Sequence, residues 1–504
     1  MKKKLKVLMS ITLVLMLIFI QVGCGTSEPA PTPDPDPQDP VDEEPQDTPD
    51  EEPEEDLTTD VVVVGGGAAG LATAIEANRE GARVILLEKM PFLGGSTLLS
   101  GGIVLATGSS MQESQGIEDS PEDLANYWYE RAEGNADMEM LSFVAERAGE
   151  TIDWLVDNGV VFSENITPAG TSPVPRAHTT ASDRGFGLIQ PLEAVAQSEG
   201  VEIMLQTRAT NLVQDDNGHV IGVVAVNSNG EEFRIHSKAV VLATGGFDQS
   251  EDMKAEYAPV ASGHISYANS GNTGDGLRMA KEVGAEIIAK DGVIGFRGLD
   301  GSVAYTSAIG GLIWNPHLYV DAEGNRFTNE VIDYPIFYTN MVENGSDHFY
   351  LIFDQDKYVE ALDEAVERGY AYKADTLEEL AGLTDMDETT FLATVDRYNE
   401  LAANGEDADF GKPAALMSPI EEGAYYAVVV KPATLGTYGG PKINLDTEVL
   451  KSDGSNIPGL YAVGEVANGQ FFYKEYPASG TSIQMCYTLG RIAGRNATAY
   501  ATTK

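Results

Sequence analysis

Residues 61–70 read Val-Val-Val-Val-Gly-Gly-Gly-Ala-Ala-Gly. Four β-branched residues in a row suit a strand buried on both faces. Gly65, Gly67 and Gly70 then fall at the G-x-G-x-x-G spacing. In that pattern the first glycine permits a tight turn and the second lets backbone approach a pyrophosphate. The third lets the next helix pack closely, with its N-terminus facing the anion. Any α/β turn can want glycine, so the acid that follows matters. The run Ala-Arg-Val-Ile-Leu-Leu-Glu over 82–88 is a second strand, and Glu88 stands where a carboxylate meets a ribose 2′-hydroxyl. Strand, glycine turn, helix over 71–80 and second strand make a βαβ unit for a dinucleotide.

Outward from this unit, the chain of 504 residues has room for two substantial domains. Its start belongs to neither. Lys2, Lys3, Lys4 and Lys6 precede an apolar stretch over 7–20, broken only by Ser10 and Thr12, and Gln21-Val22-Gly23-Cys24 follows. Basic, apolar and small-residue regions in that order form an export signal over 1–24. A cysteine after the small residue resembles the lipobox of bacterial lipoproteins, which implies lipidation at Cys24. An uncleaved anchor is the alternative, although a span needs about 20 apolar residues. The segment 28–56 holds fourteen Asp or Glu, nine Pro and no Lys or Arg. Such a stretch buries no core, so 25–56 reads as an extended acidic tether.

Setting those acids and the four leading lysines aside leaves the body near −37 of the full −47. That charge argues against nucleic acid and against anionic membrane surfaces, leaving the lipid anchor as the membrane contact. Only two cysteines exist, Cys24 and Cys486, so disulfides, cysteine-held clusters and a C-x-x-C-H haem site are excluded. No metal site is expected. An electron relay has to come from another protein.

Further along, Gly94-Gly95-Ser96-Thr97 and Ser100-Gly101-Gly102 leave room for a large planar group. Residues 239–246 form another buried strand running into glycines, and Asn272-Thr273-Gly274-Asp275-Gly276 opens a helix. The pattern lapses beyond about residue 290 and returns with Leu460-Tyr461-Ala462-Val463-Gly464-Glu465. The expected fold is α/β: a Rossmann-like dinucleotide domain over 57–290 and 431–504, interrupted by a smaller α+β substrate-capping domain over 291–430.

Together these segments resemble the FAD-binding domain of the fumarate reductase and succinate dehydrogenase flavoprotein superfamily. The resemblance implies FAD, and the lack of a histidine near GGST implies that it is held non-covalently. It places the cofactor against Gly65, Gly67, Ala69, Gly70, Glu88, Lys89, Gly95, Ser96, Thr97, Gly101 and Gly102. Later contacts fall on Ala209, Thr244, Gly245, Asp275, Gly464, Glu465, Ser482 and Ile483.

The segment Gly324-Asn325-Arg326-Phe327-Thr328-Asn329-Glu330 matches the family's G-x-R-[FY]-x-N-E. The proton-donating arginine of fumarate reductases is replaced by Tyr334, their histidine before T-x-G-G by Gly436, and their last substrate arginine by Pro477. Three groups that hold a dicarboxylate are therefore missing together. The replacements resemble the 3-oxosteroid 1-dehydrogenase branch. By that resemblance Tyr334 exchanges a proton with substrate carbon, while the Tyr476 hydroxyl and the Gly480 N–H polarise a carbonyl. Flavin N5 gives or takes the hydride. Two fixed donors on a carbonyl oxygen stabilise the enolate charge that develops there. A further tyrosine of the steroid enzymes has no counterpart.

The expectation is an exported FAD-dependent oxidoreductase acting on the C=C bond of an enone such as a ketosteroid, fed by a separate membrane-linked carrier. Arg176, His178 and Tyr438 are candidate substrate contacts. The first two support an alternative, reduction of an unsaturated carboxylate such as urocanate or an acrylate derivative. A non-catalytic surface lipoprotein with a flavin fold is the third reading.

Overall fold

In the computed structural model the described residues are 56–300 and 303–503. The export signal over 1–24, Cys24 and all but the last residue of the tether lie outside them.

Strand β1 (Val61–Val64) leads into helix α1 (Ala68–Arg79) and strand β2 (Val84–Glu88). These join β3 (Glu202–Leu205), β4 (Ala239–Leu242) and two late strands in one six-stranded sheet. Every residue of β1, β2 and β4 is buried, as their continuous apolar runs require of strands covered on both faces. β1 pairs in parallel with β2 on one side and β4 on the other, so chain direction around the sheet switches beside β1. A crevice outside the carboxyl ends of the strands opens at such a point.

A second large sheet is mostly antiparallel, and a four-stranded and a three-stranded sheet accompany the two. The second large sheet includes β5 (Ile287–Gly298), β6 (Tyr319–Asp321), β7 (Phe349–Phe353) and the long β8 (Tyr425–Pro441), with helix α2 (Tyr334–Asn344) between β6 and β7. β5 and β8 pair from Ile287↔Pro441 to Gly298↔Lys431. The expected boundary at 290/291 falls inside this ladder and the one at 430/431 inside β8, where its partner changes from β5 to β7, and the described residues form one compact unit.

Strands β9 (Glu448–Leu450) and β10 (Asn456–Ala462) return to the first sheet, whose order is β9-β10-β4-β1-β2-β3. Helix α3 (Thr481–Thr502) closes the fold by lying against α1. The contact needs small residues. A Cβ on Gly490 would stand 2.5 Å from the Ala69 carbonyl oxygen, and one on Gly494 equally close to that of Thr73. This fixes the N-terminus of α3 over the crevice.

Candidate active site

The crevice is a cleft of about 780 Å³, lined by backbone and by charge. Its three motif glycines are required for three reasons. Gly65 has φ +107°, and a Cβ would sit 2.3 Å from the Ala243 carbonyl oxygen. A Cβ on Gly70 would lie 1.8 Å from the Gly65 oxygen, so that glycine serves helix packing and does not line the cleft. Gly67 differs: its Cβ would meet nothing nearer than 3.9 Å. The protein itself has no need of glycine there, and the space left beside the N-terminus of α1 suits a pyrophosphate.

Glu88 lines the same cleft and is buried. Its two carboxylate oxygens accept from the N–H groups of Gly66 and Met90, each at 2.8 Å. Burial pushes its pKa up, against the pull of those two donors. At the same end Asp275 ties together Lys89, Arg208 and Arg278 at 2.7–2.9 Å. Against the desolvation that would raise it, Arg208 and Lys89 hold the Asp275 carboxyl below the usual range.

Of the expected cofactor contacts, Gly65, Gly67, Ala69, Glu88, Lys89, Gly95, Ser96 and Thr97 line this cleft, as do Ala209, Thr244, Gly245, Asp275, Gly464 and Glu465. Gly101, Ser482 and Ile483 line a neighbouring cavity instead. Gly102 lines neither: its φ is +74°, and a Cβ would press on Arg184 backbone at 2.5 Å. Arg208, Asn272 and Cys486 line the cleft without having been expected. Asn272 opens the segment singled out for Asp275, and Arg208 adjoins Ala209, so sequence neighbourhood was their only signal.

The neighbouring cavity has about 1070 Å³ and shares Ser96, Thr97, Glu465 and Cys486 with the cleft, so the two are continuous. Its walls are aromatic and aliphatic: Tyr267, Ile294, Tyr305, Trp314 and Leu435, with Tyr334, Tyr476 and Gly480 at the polar end. Among the described residues no Arg, Lys or His lines it. The Tyr267 hydroxyl donates to the Asp300 carbonyl, and that of Tyr305 donates to the Leu99 carbonyl at 2.5 Å. With those hydroxyls engaged, both residues offer ring surface.

Tyr334 is held by its chain neighbours. The largely covered side chain of Arg326 pairs with Glu330 and Asp407 at 2.7 Å each, and Lys412 reaches Glu330 at 3.2 Å. The family segment 324–330 is thus an anchor four residues ahead of Tyr334. Asp333 then caps α2, accepting the Tyr334 N–H at 3.1 Å. Burial first, and Tyr476 second, raise the Tyr334 hydroxyl well above its ordinary pKa of 10, so it keeps its proton.

Tyr476 is oriented by the start of α3. The Ser482 N–H donates to its hydroxyl oxygen at 2.7 Å, leaving the hydroxyl proton free to point elsewhere. Gly480, the residue before α3, has φ +92°, and strand 103–105 passes so close that a Cβ would meet Leu105 nitrogen at 2.8 Å. Among the described residues its N–H has no partner within the chain. A free N–H at the positive end of a 22-residue helix and a phenol proton converge on one side of the cavity.

The remaining expectations are corrected by burial. Arg176 is 3% exposed and forks onto Asp119 at 2.6 and 2.7 Å. His178 is fully buried, with its ring between the Ser109 hydroxyl at 2.8 Å and the Arg176 carbonyl at 3.0 Å. Burial lowers its pKa, so it stays neutral. Neither lines the cavity. Both lie in the buried strand Pro175–Thr179, where a polar side chain has to be paired, Arg176 by an ion pair and His178 by hydrogen bonds. Tyr438 is also fully buried and sits behind the wall rather than in it.

The FAD binding domain family matches residues 60–483, a span that contains the cleft's glycines, its buried acid and its cationic end. The chain belongs to it. It is a member of the fumarate reductase and succinate dehydrogenase flavoprotein superfamily, and its cofactor is FAD. The chain is 34% identical to the urocanate reductase of Eggerthella lenta, over 89% of this chain and 76% of that protein. It is 32% identical to the probable fumarate reductase Ifc3 of Shewanella frigidimarina, with the same two coverages. Among solved structures, the 3-ketosteroid-Δ4-(5α)-dehydrogenase of Rhodococcus jostii superposes with a TM-score of 0.71 at 29% identity, covering 88% of this chain and 97% of that one. This flavoprotein is therefore an FAD-dependent oxidoreductase acting on CH–CH groups.

Proposed function

We propose that this flavoprotein reduces the C=C bond of an uncharged α,β-unsaturated carbonyl compound. The observation that carries the reading is a cavity with two phenols and a free backbone N–H at one end and, among the described residues, no cationic side chain in its walls. An unsaturated carboxylate entering it would lose its hydration with no cation to replace it. An enone has no such cost.

When bound, FAD supplies the hydride for the β-carbon. The Tyr476 hydroxyl and the Gly480 N–H hold the carbonyl oxygen and stabilise its charge as the enolate develops. The Tyr334 hydroxyl, kept protonated by burial, delivers a proton to the α-carbon. The rings of Tyr267, Tyr305 and Trp314 take up a flat apolar body and exclude water. We take FAD to be held non-covalently by the residues lining the cleft.

Export and lipidation at Cys24 belong to the same proposal. They put the enzyme outside the NADH pool, so a membrane-linked flavin or haem carrier feeds it and the working direction is reduction. The test is anaerobic reoxidation of the photoreduced protein by 4-phenylbut-3-en-2-one against cinnamate, which carries a carboxylate in place of the ketone. Faster reoxidation by the ketone is expected. Preference for cinnamate would move the assignment to the carboxylate reductases that the two relatives' names describe. Rapid direct reduction by NADH would count against the carrier.

A further inference from the structure

Asp333, next to Tyr334, and Tyr438 each carry a buried polar atom and line neither the cleft nor the cavity. Asp333 employs one carboxylate oxygen to cap α2, while its other oxygen is buried with no partner among the described residues. The Tyr438 hydroxyl, on β8, is buried and equally unpartnered, and the ionisable groups acting on it are Tyr476, Tyr334 and Tyr338, then Glu475. On the outer side Arg131, the last residue of helix Pro121–Arg131, meets Glu475 at 2.7 Å. Those two side chains are 16% and 21% exposed, so they connect the group to solvent. Arg131 and Glu475 are the charges that face Asp333, and the Lys474–Glu133 pair lies at the surface beyond them.

Buried polar atoms in folded proteins are met by protein or by ordered water, and a polar space between several such atoms holds water. We propose that Asp333, with the Tyr438 hydroxyl and bridging water, resupplies the proton that Tyr334 gives to substrate, drawing it from solvent past Arg131 and Glu475. The inference rests on the reading of Tyr334 as proton donor. The Tyr334 O–H bond breaks as the proton passes to the α-carbon. The phenolate then takes a proton from the Asp333 carboxylic acid, and the Asp333 carboxylate recovers one from solvent. No electrons move in this relay. Burial, opposed by Arg131, pushes the Asp333 carboxyl up to about 6, which makes it an acid that both holds and releases its proton near neutral pH.

The relay acts after the first proton has gone, which gives it a signature distinct from that of the donor. Holoenzyme is photoreduced anaerobically and mixed with 4-phenylbut-3-en-2-one, and flavin reoxidation is followed in a single turnover. Steady-state turnover is then measured with reduced methyl viologen as donor across pH. Asp333→Asn keeps the helix cap but has no proton to give, and Tyr438→Phe keeps the ring. Both should reoxidise in the first turnover at the wild-type rate. In steady state both should fall by about 10- to 10²-fold, the scale of a general acid. The wild-type decline in turnover above about pH 6 should be absent from Asp333→Asn.

Tyr334→Phe separates the two ideas. A normal first turnover in that variant removes the donor itself, and the proposed function's proton step with it. A slow first turnover there, with Asp333→Asn matching wild type in steady state and pH profile, overturns the relay alone. A slow first turnover in Asp333→Asn also overturns it, because Asp333 would then only position Tyr334. Wild-type steady-state turnover in Tyr438→Phe removes Tyr438 from the path. Should Asp333→Asn fail to bind flavin, Asp333→Ser, another good helix cap, takes its place.

Discussion

The cleft and the cavity meet at Ser96, Thr97, Glu465 and Cys486, yet they are made of opposite materials. The cleft is backbone, glycine and ion pairs, with Lys89, Arg208 and Asp275 at its far end. The cavity is ring and methyl surface with a few hydroxyls and one free N–H. A dinucleotide carries two phosphates and needs donors and positive charge, whereas an uncharged conjugated carbonyl needs a dry wall and one point of polarity. The same fold therefore separates affinity for the cofactor from selectivity for the substrate. Mutations on one side should leave the other largely untouched.

The largest effect is expected from Gly67→Val. The protein tolerates a side chain there, since a Cβ meets nothing within 3.4 Å, but the branched methyls occupy the pyrophosphate's space. The variant should fold and purify colourless, read by its visible spectrum and thermal unfolding. Wild-type flavin occupancy would mean that the cleft is not the cofactor site.

On the cavity side, Tyr334→Phe should lower turnover by about 10²-fold or more, the usual scale for a lost general acid. Flavin content should not change. Tyr476→Phe should cost on the order of 10² in rate with ketone substrates, as for an oxyanion donor. It should spare any carboxylate substrate. A uniform loss on both substrate types would show that Tyr476 only supports α3 through Ser482.

Glu88→Ala should weaken FAD by about 1.5–3 kcal/mol, the range for a hydrogen bond to a charged group. Part of that arises without the ribose, because the Gly66 and Met90 N–H groups lose their acceptor. Titration of flavin-free protein with FAD measures it, and a change in ketone selectivity at saturating FAD would blur the division between the two sides.

The smallest effect concerns Glu465, at the junction. Burial first and Asp248 second hold its carboxyl at about 8, against 4.5 when unfolded. A carboxyl whose pKa is raised by folding binds its proton more tightly in the folded chain. Its stabilising effect is complete below about pH 4.5 and is lost as pH rises through about 8. The melting temperature of flavin-free protein should fall over that window, and Glu465→Gln should flatten the slope. An unchanged slope would relocate the titration to other groups.

By itself the sequence determined the βαβ unit, because unbroken β-branched strands, G-x-G-x-x-G and a following acid have few other physical uses. Through the family resemblance of the segments around them it also pointed to Tyr334, Tyr476 and Gly480, which line one cavity. Only the tertiary structure decided what lies around them. Arg176 and His178 looked like free polar residues, but packing paired one with Asp119 and buried the other against Ser109, and neither partner is near in sequence. Tyr267, Tyr305 and Trp314 come to the cavity from three stretches with no motif at all. A pattern can announce a turn whose constraint is local. The absence of positive charge from a cavity wall belongs to the whole fold, because it depends on where every arginine and lysine has been placed.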